Sequence, residues 1–169
     1  MKTLALILML IPAACGAAEI DYLKINMMQP RALILQKMDG IAGMSNYVKA
    51  VETKIHSSLS KVDSMPVWGY LVIAVRQDGK IKSWIDSDEE ISPVVQQIMQ
   101  DAAKSTRAFH VKAGAVIFAL GFGINGADIP PEIMPFPDEW KKVSQCQAEE
   151  CKNQNAEEIV LTDMARDRP

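Results

Sequence analysis

Three glycines come closest to a recognised chemical motif in this sequence. Gly121, Gly123 and Gly126 match the GxGxxG spacing of a dinucleotide-binding turn. Such a turn must leave a strand and open a helix, so that the helix N-terminus meets the pyrophosphate. Here Pro130 and Pro131 follow too soon for that helix. We therefore predict that the match is coincidental and that no nucleotide binds there.

The acidic run from Asp86 to Glu90 is the second candidate, because alternating carboxylates are typical of calcium loops. A calcium loop also needs a glycine at its sharp turn and a later bidentate glutamate, and neither is in place. Ser92 and Pro93 follow instead, which predicts an N-cap and a first helical residue. Negative charge before that residue favours the positive end of the helix dipole.

Other catalytic signatures are missing from the sequence. There is no GxSxG or HExxH motif, and the two histidines, His56 and His110, have no partner pattern. We expect a protein that is not an enzyme and needs no cofactor or metal. The 21 acidic residues still permit a carboxylate pair, so a small hydrolase stays as an alternative.

The N-terminus has the anatomy of a secretory signal peptide. Lys2 is followed by an apolar run over residues 4–14 and then by small residues, which predicts cleavage before Glu19. The apolar run is shorter than the roughly 20 residues that span a bilayer. Residues 12–15 also resemble a bacterial lipoprotein box, in which Cys15 would be lipidated. We expect a periplasmic protein, anchored to a membrane only if Cys15 carries lipid.

Cleavage before Glu19 leaves two cysteines, Cys146 and Cys151. In an oxidising compartment an even count predicts a disulfide bridge. The net charge of −3, with no cluster of lysine and arginine, gives no electrostatic footprint for nucleic acid. We therefore expect the partner to be another protein.

Periodicity predicts the elements of a single α+β domain. Ser45 is the expected N-cap of an amphipathic helix that buries Val51 and Ile55 and ends before Met65. Residues 67–76 and 80–86 read as strands joined by the Asp78-Gly79 turn. A helix over residues 93–108 and a strand over residues 114–124 follow, the strand with large side chains on one face and small ones on the other. These elements predict a small antiparallel sheet with helices packed on one face.

The flanking segments have weaker patterns. Residues 19–44 suggest an N-terminal arm or a short helix, and residues 45–143 form the expected domain. Asp138 could cap a short helix. The segment from residue 144 reads as a polar tail with one apolar island that suggests a weak helix or strand. The aromatic side chains of Trp84, Phe136 and Trp140 are the predicted binding residues.

The stretch from Tyr47 to Asn125 resembles the C-terminal domain of TonB and TolA proteins of the bacterial envelope. Its most specific part is Tyr70 to Trp84, where a strand, an Asp-Gly turn and a return strand follow the helix. Those proteins also carry a membrane anchor and a long stalk, which we do not find here. The Pro-Phe-Pro element at residues 135–137 follows the last strand instead of preceding it.

The resemblance implies a small domain that binds other proteins, often through a sheet edge. We expect a periplasmic protein-binding module or adaptor of the cell envelope. The alternative is an immunity protein that neutralises a toxin delivered to the periplasm.

Overall fold

The computed structural model describes residues 18–144 and 155–166, which form an α+β fold around one antiparallel sheet. Its elements, in chain order, are β1 (Ile20–Met27), α1 (Arg31–Lys37), α2 (Ala42–Leu59), β2 (Val67–Arg76), β3 (Ile81–Ser87), α3 (Pro93–Ser105), β4 (Ala115–Ile124), α4 (Asp138–Ser144) and α5 (Ala156–Arg166). The predicted α+β class with a small antiparallel sheet is confirmed, but the helices pack on both faces of the sheet and not on one as expected. None of the helices in the described ranges has the length and hydropathy needed to cross a bilayer.

The hairpin of β2 and β3 forms at the predicted turn. The amide of Arg76 donates to the carbonyl of Lys80 at 2.9 Å, and the amide of Gly79 donates back to Arg76 at 2.9 Å. Gly79 has φ of 78°, a conformation that glycine adopts without a steric cost. The Asp78 carboxylate accepts from Arg76 Nε at 2.8 Å and closes the turn from outside.

The strand order in the sheet is β1-β4-β2-β3. The N-terminal segment, predicted as an arm or short helix, does contain a short helix, α1, but it also supplies the unpredicted strand β1. A register shift between Tyr22 and Lys24 hides this strand in the sequence pattern. Because of that bulge, Tyr22 and Ile25 lie on one face although three positions separate them, and the alternation expected of a strand is broken.

Helices α1, α2 and α3 pack on one face of the sheet, which we call face 1. The large side chains of β4 point into this core, as predicted: Val116, Phe118, Leu120, Phe122 and Ile124. Helix α2 buries Val51 and Ile55 as expected, but it begins at Ala42 and ends at Leu59. The amide of Ser45 donates to the carbonyl of Ile41 inside the first turn, so the predicted N-cap at Ser45 is wrong.

The other face of the sheet, face 2, carries a second core. Small residues of β4, including Ala115 and Ala119, leave room there for α4 and α5. The segment predicted as a polar tail thus contains a packed helix, in which Ile159 and Val160 are 3% and 0% exposed. Cys15, Cys146 and Cys151, with the predicted lipidation and disulfide, lie outside the described residues.

Candidate functional site

Of the three aromatic residues predicted to bind a partner, Trp84 and Trp140 belong to the core of face 2, and the half-buried Phe136 packs against that core. Trp84 and Trp140 are 2% and 1% exposed, and their rings meet edge to face at 5.4 Å between centroids. Phe136 packs on Trp140 at 5.8 Å. The Trp84 indole donates to Asp163 Oδ2 at 3.0 Å, which satisfies its polar atom inside the protein. The predicted contact patch is therefore wrong, because these side chains cover the sheet.

The acidic run that begins at the end of β3 is held by backbone donors. Asp86 Oδ2 accepts from the amide of Phe136 at 2.7 Å, and Asp88 Oδ1 accepts from the amide of Trp68 at 3.0 Å. Ser92 Oγ accepts from the amide of Val95 at 3.3 Å, which confirms the predicted N-cap of α3. Within the described ranges, no group of three or more histidine, cysteine or acidic side chains is arranged to hold a metal ion.

The GxGxxG match lies at the end of β4. The strand runs through Gly121 and Gly123, and Asn125 and Gly126 then form a turn with φ of 54° and 72°. Residues 127–137 contain no helix. A dinucleotide fingerprint requires a helix that starts at this turn. Here Gly121 and Gly123 are part of β4, and Gly126 forms the turn that follows the strand.

The two edges of the sheet, β3 and β1, differ in chemistry. Lys80 precedes β3, and Lys82 lies on it and pairs with Asp163 at 2.9 Å. Gln100 of α3 reaches across to the carbonyl of Ser83 at 3.5 Å, which is at the limit of a hydrogen bond. Lysines and covering side chains are the usual means of protecting an edge from another strand. The β3 edge is therefore a poor template for strand addition.

Strand β1 leaves its outer side without a neighbouring strand in the described part of the chain. Two apolar side chains on this edge strand, Ile25 and Met27, are 45% and 36% exposed. A groove of about 390 Å³ runs beside them, lined by residues 24–28 on one wall and residues 132–135 on the other. We call this feature the edge groove.

The outer wall of the edge groove is fastened at both ends. The hydroxyl of Tyr70 donates to the carbonyl of Pro131, and the bond from Phe136 to Asp86 holds the far end. Burial raises the pKa of the Tyr70 hydroxyl above its usual value. Between these anchors Ile133 and Met134 remain 57% and 63% exposed. The wall thus presents two apolar side chains from a fixed backbone.

The inner wall is fixed by a buried polar cluster at the end of β1. Gln29 continues the ladder with its side chain, because its Oε1 accepts from the amide of Ile117 at 3.0 Å and its Nε2 donates to the carbonyl of Ala115 at 3.1 Å. Lys37 Nζ donates to the same carbonyl at 3.0 Å and pairs with Glu157. Glu157 Oε1 accepts from the amide of Ala115 at 2.9 Å. This cluster holds β1 and α5 on β4.

Sequence reasoning missed Gln29, Lys37 and Glu157. Glu157 lies far from the other two in the chain, 120 positions after Lys37. No motif or period links them. The apolar residues Ile25 and Met27 were present in the sequence, but the signal that they lie on an edge came only from the strand order.

Comparison with family models, curated proteins and solved structures finds no match to this chain.

Proposed function

We propose that this chain is a non-enzymatic protein-binding module of the bacterial cell envelope, and that it binds an extended segment of its partner along β1. The edge groove is the observation that carries the proposal. An edge strand offers unpaired backbone groups in a fixed spacing, and a partner strand can pair with them. Exposed Ile25 and Met27 add apolar area that a partner would cover.

The two faces of β1 define the chemistry of the partner segment. Ile25 and Met27 oppose Leu120 and Phe118 in the register and so lie on face 1. Lys24 lies on face 2, where its Nζ is 3.8 Å from Glu132 Oε1. Successive side chains of an added strand alternate between these faces. The expected partner therefore presents apolar residues toward face 1 and polar residues toward the Lys24–Glu132 pair.

The fixed backbone of β1 supports binding of this kind. A strand that is already ordered needs little further ordering when the partner arrives, so less conformational entropy opposes the complex. Gln29 and Lys37 hold the end of β1 in place through hydrogen bonds to β4. The site is thus a preformed template.

The periplasmic location belongs to the same proposal. It rests on the N-terminal leader pattern and on the resemblance of residues 47–125 to the TonB and TolA domains. Asp86 and Asp88 accept backbone hydrogen bonds, so these two carboxylates have a structural role.

Site-specific photocrosslinking in the producing cells tests the proposal. A photoreactive residue at position 25 is expected to give one discrete adduct in the envelope fraction. The control position is Val94, a 55% exposed aliphatic residue on α3, which packs beside β3 at the opposite edge of the sheet from β1. Adding Met27→Lys to the position-25 probe should abolish the adduct. Equal adducts from both positions, or none from position 25 in folded protein, would contradict edge binding.

A further inference from the structure

Ala18 is part of the folded domain although the sequence predicts that it ends the leader. Its residue surface is 4% exposed, and it belongs to the core of face 1. The amide of Ala18 donates to the carbonyl of Val62 at 3.0 Å, in the segment that follows α2. Ala18 therefore contributes a buried methyl group and a long-range hydrogen bond.

Glu19 is held at the next position by Asn125. The amide of Glu19 donates to Asn125 Oδ1 at 2.9 Å, and the amide of Asn125 donates back to the carbonyl of Glu19 at 2.8 Å. Asn125 Nδ2 also donates to the carbonyl of Ser64 at 2.7 Å. The entry to β1 is thus tied to the end of β4 and to the loop before β2.

We propose that the leader is cleaved upstream of Ala18, either at the bond before Ala18 or at an earlier one, so that the mature protein keeps Ala18 as a core residue. This inference rests on the export that belongs to the proposed function. Cleavage before Glu19 would remove the buried methyl group and leave the carbonyl of Val62 without its donor, which costs stability. Retaining Ala18 keeps both interactions.

The residues upstream permit such a cut. A leader peptidase requires small residues at the third and first positions before the cleaved bond. Ala14 and Gly16 satisfy this for cleavage before Ala17, and Cys15 and Ala17 satisfy it for cleavage before Ala18. Hydrolysis adds the hydroxyl of water to the new carboxyl group of the leader and a proton to the new amine. With Ala17 as the first residue, the Ala18 nitrogen stays an amide, and its one proton is donated to the carbonyl of Val62.

The first experiment reads the N-terminus directly. The full chain is expressed with its own leader in a bacterial host, and the exported protein is analysed by N-terminal sequencing and intact mass. We expect a first residue at Ala18 or earlier, and acylated Cys15 would also agree. A first residue at Glu19 or beyond overturns this inference and leaves export intact. A chain that keeps Met1 overturns both proposals.

A substitution provides an independent readout. Ala18→Gln should be processed as efficiently as the parent, and the mature protein should carry the mass of the substitution. It should also melt at a lower temperature, because the larger polar side chain replaces a buried methyl group. If Ala18 were the residue before the cut, glutamine there would block cleavage and precursor would accumulate. Glu19→Gln, at the neighbouring exposed residue, is the control and should change neither processing nor melting.

Discussion

Gln29 Nε2 lies 3.2 Å from Glu157 Oε2, although 128 positions separate the two residues in the chain. Both side chains bond the backbone of Ala115, one at its carbonyl and the other at its amide. Two distant segments thus meet at the start of β4, beyond the point where β1 ends. This relationship joins the strand that forms the edge groove to the helix that closes face 2.

Glu157→Gln should destabilise the protein by about 3 kcal/mol, because it leaves the charge of Lys37 without its counterion in a largely buried site. The Lys37 and Glu157 side chains are 9% and 15% exposed. Urea denaturation followed by circular dichroism measures the loss. Glu158→Gln is the matched control, an exposed neighbour in the same helical turn. Equal midpoints for the two variants would argue against a stabilising cluster.

Ile25→Lys should weaken the partner complex by about tenfold, which corresponds to about 1.4 kcal/mol. Lysine on an exposed edge opposes the addition of another strand. Because Ile25 is 45% exposed, the folded domain should keep its melting temperature. The measurement is a binding titration with the partner identified by crosslinking, beside Val94→Lys as control. Unchanged affinity for Ile25→Lys would place the binding surface elsewhere.

Gly69→Ala should cost about 2 kcal/mol of stability through overpacking. A Cβ atom at Gly69 would lie 2.6 Å from the carbonyl oxygen of Asp86 and 2.9 Å from the Cα of Ser87, both on the neighbouring strand. Gly121→Ala is the control in the same sheet, since its nearest contact would be an ordinary 3.5 Å. Thermal melts of both variants decide the matter. A loss as large in Gly121→Ala would show that glycine itself, and not the close approach, is the cause.

The Arg76–Asp78 pair in the hairpin turn should make the stability of the protein depend on pH. Hydrogen bonding from Arg76 holds the pKa of the Asp78 carboxyl well below its usual range. A carboxyl whose pKa is lower in the folded state stabilises the folded protein at pH values above its pKa in the unfolded chain, which is about 4. That contribution is lost as the pH falls through the folded-state pKa. Asp78→Asn should therefore be less stable than the parent at pH 7, and the difference should shrink below about pH 4. A difference that stays constant with pH would rule out this ionic contribution.

Removal of residues 155–169 should destabilise the domain strongly, because α5 is part of the second core. Burial of Ile159 and Val160 together contributes about 3–6 kcal/mol, and the truncation also removes Asp163 from Trp84. Chemical denaturation of the shortened chain measures the loss. A truncated protein with an unchanged midpoint would mean that this segment is the polar tail its composition suggests.

Local signals in the sequence predicted the local parts of the fold. The Asp78-Gly79 turn and the Ser92 cap each depend on a few adjacent residues, and both form as expected. The large and small faces of β4 were also readable, because a central strand alternates without interruption.

The remaining features depend on contacts that no local pattern encodes. The bulge after Tyr22 hides the alternation of β1. The burial of Trp84 requires Asp163, which lies 79 positions later. The candidate site was missed for the same reason, since the edge groove exists only where β1 ends the sheet and residues 132–135 pass beside it.

The strand order also has a consequence for the way this chain is made. Strand β1 is synthesised first, but its only strand neighbour in the described sheet is β4, and Glu19 must wait for Asn125, 106 positions later. Pairing over such a separation slows folding, because the intervening chain must first be closed into a loop. During that interval both sides of β1 are unpaired, and its apolar residues are open to other chains. The strand best suited to bind a partner is thus also the strand most open to incorrect pairing with other chains before the domain has folded.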